Sequence, residues 1–537
     1  MPLTSHLPSV ASLLPSSAAW LLAALSLALA LWAYAYPYTA RTLPFRNLPG
    51  PAPPSVLFGS LLAAQSAGTY GRWAATHGPT LRFRALLGAW RIASTDPVAV
   101  AHVLANTHLF HRQAGFNALL LRMFGPGVLM VEGEAHRRQR RALGTAFSAE
   151  GVRRMMPVLW DAAYALAQRL GEGEAELHDG FMRTAIEAIA RAGFSYDLRA
   201  GMETNPLSRF LFLATHGIQR PSISRLLQIS YPALLALPTA FTRAIDAHRR
   251  AADEVGRAIV AARRAELREA VAGEAKGDDG GRDALSRLLK ANTSELDEKQ
   301  RLSDAEVLAQ IGALMLAGNE SSASALSWAC LHLAQHPGVQ ARLRAELDAV
   351  PDDRPGLDEL AALPYLDAVV REVLRVDAPL PHVVRTCVRG AVVPLGVPIG
   401  GRDGRVVDSV RVPRGTEFVI PISEINKSTA VWGPDAAQFN PDRYARDARA
   451  ADAPSVPGIW GNLLTFLAGP HNCMGYRFAL AEIKAVLFVL LRSFTLEPLP
   501  SAPRIERRCQ GFVQRPFVAG EEEKGIQLPV VLRRRVE

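Results

Sequence analysis

Cysteine is scarce. The 537 residues hold four, Cys330, Cys387, Cys473 and Cys509, too few and too scattered for a disulfide framework or for the paired spacings of a structural zinc site. A reducing compartment follows. Long linkers and internal repeats of fixed period are also missing, which excludes solenoids and arrays and leaves one large globular unit. No Gly-x-Gly-x-x-Gly segment joins a strand to a helix, so the chain carries no flavin or nicotinamide site of its own. Lys and Arg outnumber Asp and Glu by 60 to 51, for a net charge of +9. That excess is spread along the chain and no nucleic-acid-binding motif appears, so no nucleic acid is expected as a partner. An acidic protein or an anionic lipid surface suits it better.

Charge is missing from the N-terminus as well. Between Ala18 and Tyr36 every residue is apolar or aromatic except Ser26, a run of about 19 residues, long enough at about 1.5 Å per residue to cross a bilayer core. No Lys or Arg precedes it, whereas Arg41 and Arg46 follow. The bias places the N-terminus outside and the bulk of the chain in the cytosol. A cleaved signal peptide would need a positive leading segment, which is absent, so an uncleaved anchor is the expectation. Leu48-Pro49-Gly50-Pro51-Ala52-Pro53-Pro54 is a stiff connector that cannot be helical. The expected division is an anchor over 1–40, a proline-rich hinge over 41–56 and a catalytic domain over 57–537.

What is present centres on one loop, Phe466-Leu-Ala-Gly-Pro-His-Asn-Cys-Met-Gly475. Gly469 and Pro470 mark a tight turn, Gly475 permits close backbone approach, and an apolar run of helical length follows from Phe478 to Phe494. A cysteine at the mouth of a helix gains from the unpaired amides there, which favours a thiolate. The plain alternative is that Cys473 is a small buried hydrophobe. The loop resembles the haem-binding signature of cytochromes P-450, Phe-x-x-Gly-x-Arg-x-Cys-x-Gly, with Phe466, Gly469, Cys473 and Gly475 in register and His471 in place of the arginine. The resemblance implies Cys473 as the iron ligand. It also implies a weaker or different propionate contact at His471, where a protonated imidazole would donate to the carboxylate.

Further segments match the family in order. From Ser303 to His336 runs an expected helix with a capping box, Ser303 and Glu306, at its start and Pro337 after its end. Within it Ala317-Gly318-Asn319-Glu320-Ser321-Ser322 holds poor helix formers, which fit either a helix contact or the family's distal oxygen site. On the second reading Gly318 leaves room for dioxygen, Ser321 hydrogen-bonds it and Glu320 relays protons. Serine stands where the family has threonine, and its looser first torsion points to some leakage to peroxide. Glu372 and Arg375, three apart on a helix from Tyr365 to Val376, sit among apolar neighbours, and Arg443 is the third member of the buried triad that the resemblance implies. Trp432 to Ala436 adds likeness to fungal membrane-bound members.

For the propionates the resemblance points to His136 and Arg140, one turn apart on a helix, and to Arg385, whose guanidinium suits a carboxylate. Arg137, Arg138 and Arg141 are read as a solvated face that docks an acidic reductase. Asn292, Asn319 and Asn426 begin Asn-x-Ser matches, taken as chance.

The expected protein is mainly α, a cytochrome P-450 fold with a large helical domain, a smaller β-rich region and a single N-terminal transmembrane helix. Its implied cofactor is haem b. Its implied partners are an NADPH-cytochrome reductase, with cytochrome b5 as an additional donor, a lipophilic substrate and the endoplasmic reticulum membrane. The implied activity is insertion of one oxygen atom from dioxygen, in fungal secondary metabolism such as terpenoid synthesis or in xenobiotic oxidation. Apolar stretches from Phe210 to Leu213 and from Leu226 to Phe241 fall where the family's lid meets the bilayer. Two rival classes are a haem-thiolate isomerase or dehydratase, against which Glu320 and Ser321 argue, and a tethered non-enzymatic haem binder.

Overall fold

The computed structural model describes residues 14–198, 205, 223–271, 283–295, 297–444 and 455–535. Its centre is the helix Asp304–Gln335, which starts as the sequence predicts. Ser303 accepts from the Glu306 amide and the Glu306 side chain accepts from the Ser303 amide, a closed capping box. Because its residues are apolar or small on every face, this helix is buried nearly all round, as expected of a helix lacking a polar stripe. It packs along His178–Phe194 and against Tyr476–Ser493 and Pro364–Val376. Tyr476–Ser493 leans in turn on Ala149–Arg169, where the Trp160 and Phe488 rings meet edge to face at 5.4 Å.

A five-stranded sheet flanks this bundle in the order Thr80–Arg84, Trp90–Ser94, Glu417–Ile420, Val383–Cys387, Phe110–Arg112. Trp90–Ser94 and Glu417–Ile420 are parallel and the other pairings antiparallel. Antiparallel pairing of Phe110–Arg112 with Val383–Cys387 sets Arg112 opposite Arg385. The hairpin Ile505–Gln510 with Val513–Val518 lies against the central helix. A second hairpin, Ala391–Gly400 with Val406–Val412, and a small sheet of Gly173–Glu176, Pro529–Arg534 and Phe494–Glu497 complete the β regions. The proline-rich segment after Leu48 is non-helical, as its prolines require.

The N-terminal run is helical, Leu14–Thr42, but the expected membrane span does not emerge. Among the described residues no helix is long and apolar enough to cross a membrane. Phe210 to Leu213 lies outside the described residues. Leu226 to Phe241 covers parts of the helices Ile223–Ser230 and Ala240–Val271 with a 3-10 turn between. Asn319 and Asn426 are 1% and 0% exposed, so neither Asn-x-Ser match has room for a glycan.

Candidate active site

The loop before Tyr476 is a folded turn. Leu467 and Gly469 both have positive φ, 58° and 68°, and a Cβ on Gly469 would lie 2.3 Å from the Leu104 carbonyl oxygen, so only glycine fits there. The Cys473 amide donates to the Phe466 carbonyl at 2.9 Å and the Asn472 amide to that of Gly469 at 3.1 Å. Phe466 is buried between the edges of Trp460 and Tyr476. Gly475 caps the helix at φ −88°. A Cβ there would touch only the Phe147 ring at 3.8 Å, so no protein atom demands glycine at 475.

Cys473 is half-buried, whereas Cys330 and Cys387 are fully enclosed. Burial pushes its thiol up to about 11, against the opposing pull of the Gly475 amide and Arg140. The helix amides are thus too weak to make a thiolate by themselves, contrary to the expectation from the loop. A coordinated cation would supply the missing charge, since it deprotonates a ligating thiol outright.

Beside the thiol lies a buried cluster of cations and imidazoles. Arg140 donates to the carbonyl of Asn472 at 2.9 Å and to its side-chain oxygen, which ties the helix Gly133–Gly144 to the loop. One turn earlier on that helix, the His136 ring meets His471 edge to face at 4.3 Å. Among the described residues Arg385, 5% exposed, has only the carbonyl of Val384 as an acceptor, and burial followed by Arg112 lowers its pKa to about 10. Arg112 bonds Glu132 at 3.2 Å and the Val131 carbonyl at 3.0 Å. Burial and the neighbouring arginines lower His136 to about 4 and His471 to about 2. The neutral form of His471 is therefore favoured, so the donation that a protonated imidazole would make is opposed by burial and by the arginines around it. Its Nε2 lies 3.1 Å from Glu132 Oε2, yet that oxygen has no hydrogen-bond partner among the described residues.

The expected triad assembles fully. Arg375 grips both oxygens of Glu372 at 2.8 Å, and Arg443 and the Asn440 amide reach Oε1 at 2.9 Å. The remaining Arg375 donors go to the carbonyls of Asn426, Ala436 and Gln438. Asn426 bonds the Thr465 hydroxyl and the Leu464 amide, both at 2.8 Å, directly before Phe466. The triad is thus wired to the cysteine loop.

On the central helix one patch is open. Ala317 is exposed and Gly318 and Ser321 are partly so, while Asn319, Glu320 and Ser322 are buried. The Ser321 hydroxyl donates to the Ala317 carbonyl at 2.7 Å. A Cβ on Gly318 would come within 3.0 Å of Ile189, so its smallness serves the contact with His178–Phe194. Glu320 is ion-paired with Arg515 of the C-terminal hairpin; burial raises its pKa and Arg515 opposes that rise.

The Cytochrome P-450 family profile matches residues 49–517. Two relatives in Postia placenta, cytochrome P-450 monooxygenases 128 and 205, are each 35% identical. The alignment with the first covers 93% of this chain and 94% of the relative, and with the second 95% and 96%. Cytochrome P-450 monooxygenase claU of Ampulloclitocybe clavipes is 34% identical over 91% of this chain and 92% of its own. The chain belongs to the cytochrome P-450 family. It is accordingly a monooxygenase, an oxidoreductase that uses molecular oxygen and a haem iron.

The residues present fit that cofactor. A P-450 needs one soft anionic ligand and cations for two propionates. Here the half-buried Cys473 thiol faces Arg140, and His471, two residues earlier, faces Arg112, Arg385 and Arg140. Like charges set directly opposite across strands are destabilising, so the facing pair Arg112 and Arg385 is suited to receiving carboxylates. Sequence reasoning missed Arg112, Glu132 and Arg515. Arg112 gains its place only from pairing with a strand some 270 residues away, and nothing near it announces this. Arg138, read as part of a docking face, is instead paired with Glu306 at the start of the central helix. Arg137 and Arg141 are exposed.

Proposed function

We propose that this cytochrome P-450 inserts one oxygen atom into a lipophilic small molecule, by hydroxylation with epoxidation or repeated oxidation as variants, in fungal secondary metabolism. The supporting observation is the pairing of a lone thiol, Cys473, with a cluster of buried cations. Haem b, when bound through that thiol, supplies the activation of dioxygen, since thiolate donation favours O–O cleavage. Cys473 ligates the iron. Arg140 and Arg385 hold the propionates together with Arg112, and the neutral His136 and His471 line that edge as hydrogen-bonding groups. Phe466 and Gly475 shape the loop, and Glu372, Arg375 and Arg443 keep it rigid from behind. Ser321 presents a hydroxyl at the open turn and Glu320, the next residue, is the acid that takes up and passes on a proton. Gly318 admits the close packing of Ile189 that leaves the turn at Ala317 and Ser321 open.

Electrons come from an NADPH-cytochrome reductase, with cytochrome b5 as an additional donor. The exposed Arg137 and Arg141 favour an acidic partner. The N-terminal helix holds the catalytic domain, 57–537, at the cytosolic face of the endoplasmic reticulum through the hinge at 41–56. In its favour are Trp20, Leu21, Leu22, Leu25, Leu27 and Leu29, each more than half exposed, and a lack of charge before Arg41. A reduced-CO difference spectrum tests the haem-thiolate assignment. Comparison of metabolites in cells with and without the protein and its reductase tests the activity, and oxygen-independent turnover would overturn it.

A further inference from the structure

We propose that Arg515 is the positioning residue for Glu320, and that the C-terminal hairpin carrying it links this acid to the Ala114–Phe124 helix. The central helix presents two adjacent faces here. Ala317 and Ser321, one turn apart, lie on the open one. Glu320 and Ser324, also one turn apart, lie on the face docked against Val513–Val518: Ser324 donates to the Gln514 carbonyl at 2.6 Å and Arg515 pairs with Glu320. The carboxylate is thereby drawn away from the turn that holds the Ser321 hydroxyl.

The pair is not finished as a structural ion pair would be. Both side chains are 2% exposed or less, yet Glu320 Oε1 and one terminal nitrogen of Arg515 have no hydrogen-bond partner among the described residues. A buried pair contributes to stability only when its remaining valences are met. Asp377, on the other side of the same strand, shows what a finished site looks like: His332 at 2.8 Å, Gln514 at 3.1 Å and Arg507 share its two oxygens. The unfinished pair suits a group that must change direction or charge.

The hairpin also has a handle. At its tip the Phe512 ring meets Phe116 at 5.6 Å. The next residue toward the N-terminus, Gly115, is pressed so closely on Ile223–Ser230 that a Cβ would lie 1.5 Å from the Ile229 carbonyl oxygen. A shift of either segment is passed through Phe116 and Phe512 to the strand bearing Arg515. Arg515 thus opposes protonation of Glu320 and turns it aside, and movement of the hairpin releases it toward Ser321.

This rests on the reading of Glu320 as the proton-holding group of the site, and the test separates the two. Full-length holoprotein is prepared as Arg515→Met, Arg515→Lys, Glu320→Gln and the double variant Glu320→Gln/Arg515→Met. In the infrared at pH 7, Arg515→Met is expected to show a protonated-carboxyl band, additional to that of Glu482, whose carboxyl burial pushes up to about 8, that the wild type, Arg515→Lys and the double variant lack. With NADPH and a reductase and no added substrate, the ratio of peroxide to water formed from dioxygen is expected to rise by about threefold or more in Arg515→Met and in Glu320→Gln. The double variant should be no worse than either, and Arg515→Lys should return to the wild-type ratio. If the methionine variant does not accumulate, Arg515→Gln takes its place with the same expected outcomes. No new carboxyl band, or single effects that multiply in the double variant, would overturn the role of Arg515. An unchanged ratio in Glu320→Gln alongside the new band would instead overturn Glu320 as the acid and leave the hold of Arg515 on it standing.

Discussion

Two buried charge clusters flank the cysteine loop, and they are built on opposite terms. In the first, Glu372 takes donors from Arg375, Arg443 and the Asn440 amide, and Arg375 spends its remaining donors on three carbonyls. In the second, Arg112 faces Arg385 across two strands, His136 faces His471, and Glu132 is the carboxylate set among them. A closed cluster locks a fold; a cluster short of anions receives one. The same residue type, arginine, serves both ends, and the count of acceptors around it decides which.

The largest effect that would sharpen this contrast lies between the clusters. Cys473→Ala is expected to abolish the thiolate-ligated haem spectrum altogether, and a retained reduced-CO band would break the assignment. Next comes the closed cluster. Removing one partner, as in Arg375→Met, strands a buried carboxylate and is expected to cost roughly 3–5 kcal/mol, read as a fall in unfolding midpoint or failure to accumulate.

The receptive cluster should respond the other way. Arg385→Met is expected to weaken haem retention by about tenfold to a hundredfold, the worth of one charge-assisted hydrogen bond, while the haem-free chain loses no stability because a like-charge contact has been relieved. A haem-free Arg385→Met chain as unstable as Arg375→Met would erase the distinction. A smaller effect concerns pH. The folded-state pKa of His136 is lowered to about 4 from an unfolded value near 6.5. Between those values the unfolded chain therefore binds more protons, and stability falls as pH drops from about 6.5 toward 4 by at most about 1.4 kcal/mol per unit for this group. His136→Gln should flatten that limb of a stability-against-pH curve for the haem-free chain. Smallest is Ser321→Ala. Among the described residues its hydroxyl bonds only the preceding turn of its own helix, so stability should move by no more than about 0.5 kcal/mol, with the effect confined to more peroxide per NADPH.

Much of this was legible in the chain. Ser303 and Glu306 announce the start of the central helix because a capping box is a local device, and the helices Pro364–Val376 and Tyr476–Ser493 fall where their apolar runs lie. The triad was legible through Glu372 and Arg375, whose apolar neighbours forecast burial. Less legible were the states of these groups. Cys473 was expected to be a ready thiolate, but burial outweighs the helix amides. A protonated His471 was one reading of the loop, but burial opposes it first, and Arg112, Arg385 and Arg140 then converge on it from two strands and a helix. The membrane span read from Ala18 to Tyr36 does not appear among the described residues, where no helix is long and apolar enough to cross a membrane.

By itself, then, the sequence determined the elements and the chemistry available to them: a lone thiol in a glycine turn, a capped apolar helix interrupted by Gly318, Asn319, Glu320 and Ser321, and arginines among apolar neighbours. Only the tertiary structure decided which charges meet. Arg112 reaches Arg385, and Arg515 reaches Glu320, through pairings between residues about 270 and 195 positions apart. Such pairings depend on strand register and on the docking of a hairpin against a helix, which no local propensity encodes. Burial then sets the charge of each group, because the desolvation of an ionised side chain depends on everything packed around it rather than on its neighbours in the chain.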